Sequence, residues 1–261
     1  MNILQLSDPH LLAHPSTRLA GRQPVLALEA GIRAALCQLD ADGVGVDRLL
    51  LTGDLCDDES WGGYVALREV LAPFGRPVDL IPGNHDHPTL LRAVMGRHAR
   101  VGPAAVPLGP WTLVLLHSHR PACLGGWLGE RQLAWLQDIL FKASASGSPL
   151  LVAVHHPPGP IGDPKMDGIA LHDGAALLTL LADCPQVKAV VFGHVHQHWQ
   201  GGLPGRPAVP LLACPSTLRA FAPVQPCPLG QPHHPGARLL MLGPQGEIRH
   251  RLVRWRPPEP I

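Results

Sequence analysis

The chain has 261 residues, 46% of them hydrophobic, and a formal net charge of +1. That length can bury a substantial core in one domain over 1–261. The scattered charges lack the basic block of a nucleic-acid binder, so no stable nucleic-acid binding is expected. No apolar run approaches the ~20 residues of a membrane span, and the six cysteines form no Cys-x-x-Cys pair; with no room for a signal peptide before the first motif, the expectation is a reduced, cytoplasmic protein without a membrane segment.

In chain order, a strand over 3–6 leads into a loop carrying Asp8 and His10. A helix follows over 24–39, where Val25, Leu28, Ile32, Ala35, Leu36 and Leu39 recur at helical spacing and Pro24 suits the first turn. A buried strand over 47–51 ends at Thr52-Gly53-Asp54. A helix over 64–71 separates it from a strand over 78–81, which ends at Pro82-Gly83-Asn84-His85. This alternation predicts parallel strands with crossover helices, and ligands collect beyond the carboxyl ends of such strands.

Next come a strand over 111–116, a helix over 130–143, a strand over 150–154 running into His155, a helix over 175–181, and a strand over 187–192 running into His194. After residue 196 the helical signals stop. Strands over 210–213, 237–242 and 248–255 are expected to build a second, partly antiparallel sheet packed on the first. The stretch 222–235, rich in Pro and carrying His233 and His234, reads as a surface loop, and 256–261 as a mobile tail.

Five motifs follow apolar runs: Asp8-Pro9-His10, Gly53-Asp54, Gly83-Asn84-His85-Asp86, His155-His156-Pro157-Pro158 and Gly193-His194-Val195-His196. A side chain at a strand end is fixed at its backbone yet faces an open loop region. Several such ends side by side supply the carboxylate, imidazole and amide donors that hold two metal ions. Two cations need a shared negative ligand, and Asp54 is the natural bridge. Asp8, His10 and one later His could complete one site, and Asn84 with two further His the other. The glycines before the ligands permit unusual backbone angles and close approach. By strand periodicity His194 and His196 share a face. His233-His234 and His117-Ser118-His119 read as surface or loop residues.

These motifs resemble the calcineurin-like metallophosphoesterases, and within them the bacterial class III cyclic nucleotide phosphodiesterases and related glycerophosphodiesterases. Gln132-Leu133-x-Trp135-Leu136 and Leu212-Ala213-Cys214-Pro215-Ser216-Thr217 look like the cyclic-AMP branch. The resemblance implies an α/β fold, a four-layer α/β/β/α sandwich of two mixed sheets. It implies two divalent or trivalent ions (Fe, Mn or Zn), one held by Asp8, His10, Asp54 and His196, the other by Asp54, Asn84, His155 and His194. His155 is chosen over His156 because relatives carry His-x-Pro.

The implied activity is hydrolysis of a small-molecule phosphodiester, above all a 3′,5′-cyclic nucleotide such as cyclic AMP, by in-line attack of a metal-bridging hydroxide. The resemblance implies that His85 protonates the leaving oxygen or steadies its charge, that Asn84 and His85 touch substrate, and that Asp86 orients His85 or a metal-binding His. A glycerophosphodiester or 2′,3′-cyclic nucleotide is the alternative substrate, followed by a phosphomonoester and, last, a non-catalytic scaffold. Two departures bear on the substrate. Leu116-His117-Ser118 stands where relatives have Leu-Asp-Ser, and Leu171-His172-Asp173 where they have Leu-Arg-Asn or Leu-Arg-Asp; either the loss of that arginine weakens a phosphate contact, or His172 replaces it as a substrate-binding residue. Relatives also form homo-oligomers, and no interface can be located in this sequence.

Overall fold

A computed structural model describes residues 1–257; of the expected tail, 258–261 lie outside the described residues. The first half forms β1 (Asn2–Leu6), α1 (Pro24–Ala41), β2 (Arg48–Leu51), α2 (Trp61–Leu71), β3 (Val78–Leu80), α3 (Pro88–Met95) and β4 (Arg100–Val101). Then come β5 (Ala104–Leu108), β6 (Trp111–Leu115), α4 (Gly129–Ser146), β7 (Leu150–Ala153), α5 (Pro164–Asp167), α6 (Gly174–Ala182) and β8 (Val187–Phe192). The chain closes with β9 (Trp199–Leu203), β10 (Arg206–Ala213), β11 (Gly236–Leu242) and β12 (Ile248–Arg254).

Two six-stranded mixed sheets result, in the orders β12-β11-β1-β2-β3-β4 and β5-β6-β7-β8-β10-β9. The alternation along single strands explains the layering. Leu4, Leu6, Leu49 and Leu51 pack toward α1, α2 and α3, whereas Ile3 and Leu50 point the other way, onto Leu113, Leu115, Leu151 and Val191 of the second sheet. The outer face of that sheet (Val114, Val152, Val190, Phe192) is covered by Leu136 and Leu140 of α4 and Leu177 and Leu181 of α6. Central strands buried on both faces must be apolar at consecutive positions, which is why they read as continuous hydrophobic runs. The protein is therefore a sandwich of two sheets flanked by helices.

The late strands depart from expectation. They do not form their own sheet: β9 and β10 close one edge of the second sheet, with β10 parallel to β8, while β11 and β12 return to the first. β11 runs antiparallel along β1, which would otherwise present an unpaired apolar edge. Registry aligns the site. Leu6 pairs with Leu51 and Leu51 with Leu80, so the segments after β1, β2 and β3 leave the sheet at one edge. The ends of β7, β8 and β10 are aligned likewise in the second sheet. Gln5 joins the edges, its Nε2 donating to Thr52 Oγ1 and to the Phe192 carbonyl at 3.1 Å each. No helix among the described residues is long and apolar enough to cross a membrane, and the six cysteines are free.

Candidate dinuclear metal centre

The loops beyond these strand ends bring Asp8, His10, Asp54 and His196 together as one group of donor atoms, with His155, His156 and His194 in a second beside it. The backbone at the site is strained. Asp8, His10, Asp54, His194 and His196 all adopt left-handed angles, with φ between 49° and 67°. Each such residue costs on the order of 1 kcal/mol or more and persists only where its surroundings enforce it. This replaces the strand periodicity expected for His194 and His196. They lie beyond β8 in left-handed turns, so His194 packs against His155 and His196 against His10 (ring centroids 5.1 and 5.0 Å). Gly53, at φ +101°, and Gly83 admit the cluster by lacking side chains: a Cβ on the first would collide with the His155 ring, and on the second with the Asp54 carboxylate.

Asp54 stands between the two groups. Its Oδ1 lies 3.3 Å from His155 Nε2 and its Oδ2 3.8 Å from His10 Nε2. Asn84 Oδ1 is 3.2 Å from His155 Nε2, and Asp8 Oδ1 is 3.4 Å from His196 Nε2. Hydrogen bonds at the far side of each ring set the tautomers. His155 Nδ1 faces the Thr52 carbonyl at 2.7 Å and His196 Nδ1 the Arg219 carbonyl at 3.0 Å. A carbonyl only accepts, so both Nδ1 atoms carry hydrogen and both neutral rings turn a lone pair inward. His10 Nδ1 is held in the same way by Asp57 Oδ1 at 2.8 Å.

Inward lone pairs on three imidazoles and two buried carboxylates make an electron-rich centre, and His194 Nε2 is buried with no hydrogen-bond partner. The Nε2 atoms of His10 and His196 approach to 3.1 Å. This donor set suits metal cations, with the outer hydrogen bonds orienting each ligand. Protons take the cations' place when none is bound. Burial opposes charge on His155, yet Asp54 and Asp8 outweigh it and raise its pKa to about 9. Burial likewise pushes Asp54 up, but His155, His10 and His85 hold it well below the usual carboxylate range. Burial, then His155, drives His194 down to about 3.

His156 is bonded at both ring nitrogens outside the centre, Nε2 donating to the Leu124 carbonyl at 3.0 Å and Nδ1 accepting from Ser118 Oγ at 2.8 Å. Burial keeps its pKa well below the ordinary value, and so keeps it neutral. Ser118 is placed in turn by Gln132, whose amide grips the neighbouring His117 at both backbone groups, at 2.8 and 2.7 Å. The Gln132 motif thus acts on the end of β6.

His85 lies at the mouth of the cavity with its side chain 37% exposed, and its backbone N–H donates to Asp54 Oδ1 at 3.0 Å. Its Nδ1 faces Asp57, not Asp86. The role expected of Asp86 is corrected here. Fully buried, it accepts from the backbone N–H groups of Leu55, Cys56 and Gly83 and from the Tyr64 hydroxyl, and so clamps the Asp54 loop to the Asn84 loop. Burial and the Asp54 charge push its pKa up to about 6 against those donors. Asp57, which sequence reasoning passed over, orients both His10 and His85. A carboxylate three residues beyond Asp54 was the available signal.

The cavity over the centre measures about 230 Å³; beyond His10, Asp54, Asn84, His85, His194 and His196, its walls include Leu124, Lys165, Met166, Ile169, Arg219 and Phe221. His172 is not among its lining residues. Its N–H donates to the Gly126 carbonyl and its ring lies beside Gly125, while Asp173 accepts from the backbone of Leu128 and Gly129 at the start of α4.

Two back-to-back sheets with a His/Asp cluster across their carboxyl ends describe a class of phosphoesterase. The chain belongs to it: the model of the calcineurin-like phosphoesterase family matches residues 1–198. Within that class it is 45% identical, over 97% of this chain and 96% of the relative, to a protein of Synechococcus sp. (strain WH7803) named a probable cyclic nucleotide phosphodiesterase. It is 35% identical, over 97% and 89% of the two chains, to the 3′,5′-cyclic adenosine monophosphate phosphodiesterase of Pseudomonas aeruginosa. Among solved structures, a dimetal phosphatase from Danio rerio superposes with a TM-score of 0.66 over 98% of this chain and 99% of that one; at 14% identity the likeness is one of fold.

Proposed function

We propose that this protein is a dinuclear-metal-dependent phosphodiesterase acting on 3′,5′-cyclic nucleotides such as cyclic AMP. The observation that carries the reading is Asp54, whose two oxygens face histidines of two different groups, the disposition a bridging carboxylate needs. Identity to cyclic nucleotide phosphodiesterases along nearly the whole chain supports the substrate class.

In this reading Asp8, His10, Asp54 and His196 hold one ion, and Asp54, Asn84, His155 and His194 the other. Bound there, two cations supply Lewis acidity toward water and toward the phosphate oxygens. The chain's own residues do the rest. Thr52, Arg219 and Asp57 keep the ligand imidazoles in the tautomer that faces inward. Asn84 and His85 contact the phosphodiester. His85, steadied at Nδ1 by Asp57, delivers a proton to the departing sugar oxygen.

The test is hydrolysis by manganese-loaded protein of 3′,5′-cyclic AMP beside an activated aryl diester and its monoester. Cleavage of cyclic AMP supports the reading. Cleavage of the aryl diester alone moves the substrate to another diester, and turnover of the monoester alone overturns the diesterase assignment. Asp54→Ala removes the shared ligand and is expected to abolish both turnover and the binding of two metals.

A further inference from the structure

Resting on the proposed reaction, a second feature of the cavity names how the substrate's charge is met. Apart from the histidines, the polar side chains lining it include two carboxylates, Asp54 and Asp57, and two cations, Lys165 and Arg219. Neither cation lies within ion-pair distance of a described carboxylate, and both residues are exposed. An uncompensated cation at the rim of an otherwise apolar wall (Leu124, Met166, Ile169, Phe221) calls for an anionic ligand.

Both positions are built, from separate parts of the chain. The segment after β10 is strapped across the centre. Ser216 Oγ donates to the Asp8 carbonyl at 2.8 Å and accepts from the N–H groups of Leu218 and Arg219 at 3.0 Å, while the Thr217 N–H donates to the Ser7 carbonyl at 3.0 Å. The same Arg219 whose carbonyl orients His196 therefore carries its guanidinium at the cavity mouth, 5.1 Å over the Phe221 ring. Lys165 is held by α5, where Asp163 accepts the N–H groups of Lys165 and Met166, and Asp167 accepts those of Ile161 and Gly162. The Cys214–Thr217 motif thus positions a cation as well as a ligand, and His172, expected to contact the phosphate, does not line the cavity.

We propose that Lys165 and Arg219 form a two-cation clamp that recognises the phosphate anion of a cyclic nucleotide at the mouth of the metal site. A cavity of about 230 Å³ lies below the usual range of ligand pockets, about 300–1,000 Å³. It admits the phosphate and sugar and leaves the base against the apolar rim. Exposed, flexible cations act through attraction and ground-state binding more than through the reacting geometry. The clamp consequently lowers KM and leaves kcat nearly untouched.

The experiment compares Lys165→Ala, Arg219→Ala, the double variant and Arg219→Lys, all manganese-loaded, on cyclic AMP at several salt concentrations. Expected in the double variant are an unchanged metal content, a kcat within about 2-fold, a KM raised about 10-fold and a flattened salt dependence, with Arg219→Lys restoring most of the Arg219→Ala loss. A double variant with wild-type KM and wild-type salt dependence overturns the clamp. If the wild type cleaves no diester, the functional reading falls, and titration with inorganic phosphate still decides the clamp: a Kd weakened about 10-fold in the double variant upholds it, and an unchanged Kd overturns it.

Discussion

Nδ1 of His85 stands 3.3 Å from Oδ1 of Asp57. The same oxygen is 2.8 Å from Nδ1 of His10, so one half-buried carboxylate ties the residue proposed to protonate the leaving group to a residue proposed to hold metal. The His10 hydrogen bond holds the Asp57 pKa below the usual carboxylate range, against burial. It is ionised at neutral pH and serves as an acceptor for both rings. Asp57→Asn is expected to keep both metals at saturating manganese and to lower kcat about 10- to 100-fold. The loss should be greater for cyclic AMP than for an aryl diester with a good leaving group. An equal loss on both substrates would assign Asp57 to His10 alone.

His155 and His156 are adjacent, and their surroundings separate them. His155→Ala is expected to bind one metal fewer by elemental analysis. His156→Ala is expected to retain both and to lose stability by about 1–3 kcal/mol, because Ser118 Oγ and the Leu124 carbonyl lose their partner. The opposite pattern of metal loss would exchange the two roles.

Gly83 admits the Asp54 carboxylate against its backbone. Gly83→Ala is expected to displace Asp54, reduce metal content and destabilise the fold by about 1–3 kcal/mol. Gly45→Ala, where an added Cβ meets nothing within 4 Å, is the control and should leave metal content unchanged.

His198 is buried with its Nδ1 3.0 Å from Nη2 of Arg238, a fully buried guanidinium that also donates to the Ala213 carbonyl. Burial first, and then Arg238, push the His198 pKa from 6.5 down to about 4. The native state thus declines a proton that the unfolded chain accepts. Stability from this residue is fully present above pH 6.5 and is lost as pH falls from 6.5 through about 4. His198→Asn removes the titrating ring and is expected to flatten the fall of Tm over that window, measured by calorimetry on metal-free protein. A slope identical to wild type would show that His198 takes up its proton equally in the folded and unfolded states.

The central strands of both sheets were legible in advance. The central strands are buried on both faces, so 47–51, 150–154 and 187–192 announce themselves as apolar runs, and each is followed by a residue the site uses. The shorter elements were not. α3 and α5 are brief, β5 carries Pro107 at a sheet edge, and β9 contains Gly201 and Gly202. Little in their local composition separates them from loops.

By itself, the sequence determined the family, the parallel strands and the set of residues that converge on the centre, because motif spacing and apolar runs are local properties of the chain. Only the tertiary structure decided which neighbours tune that set. It assigned orientation of His85 to Asp57 and loop clamping to Asp86. It put Arg219 and Lys165 at the mouth in place of His172, and returned β11 and β12 to the first sheet. The physical reason is that a hydrogen bond or a strand edge is satisfied by whatever group the fold brings within about 3 Å, and for His196 that group was a carbonyl 23 residues away.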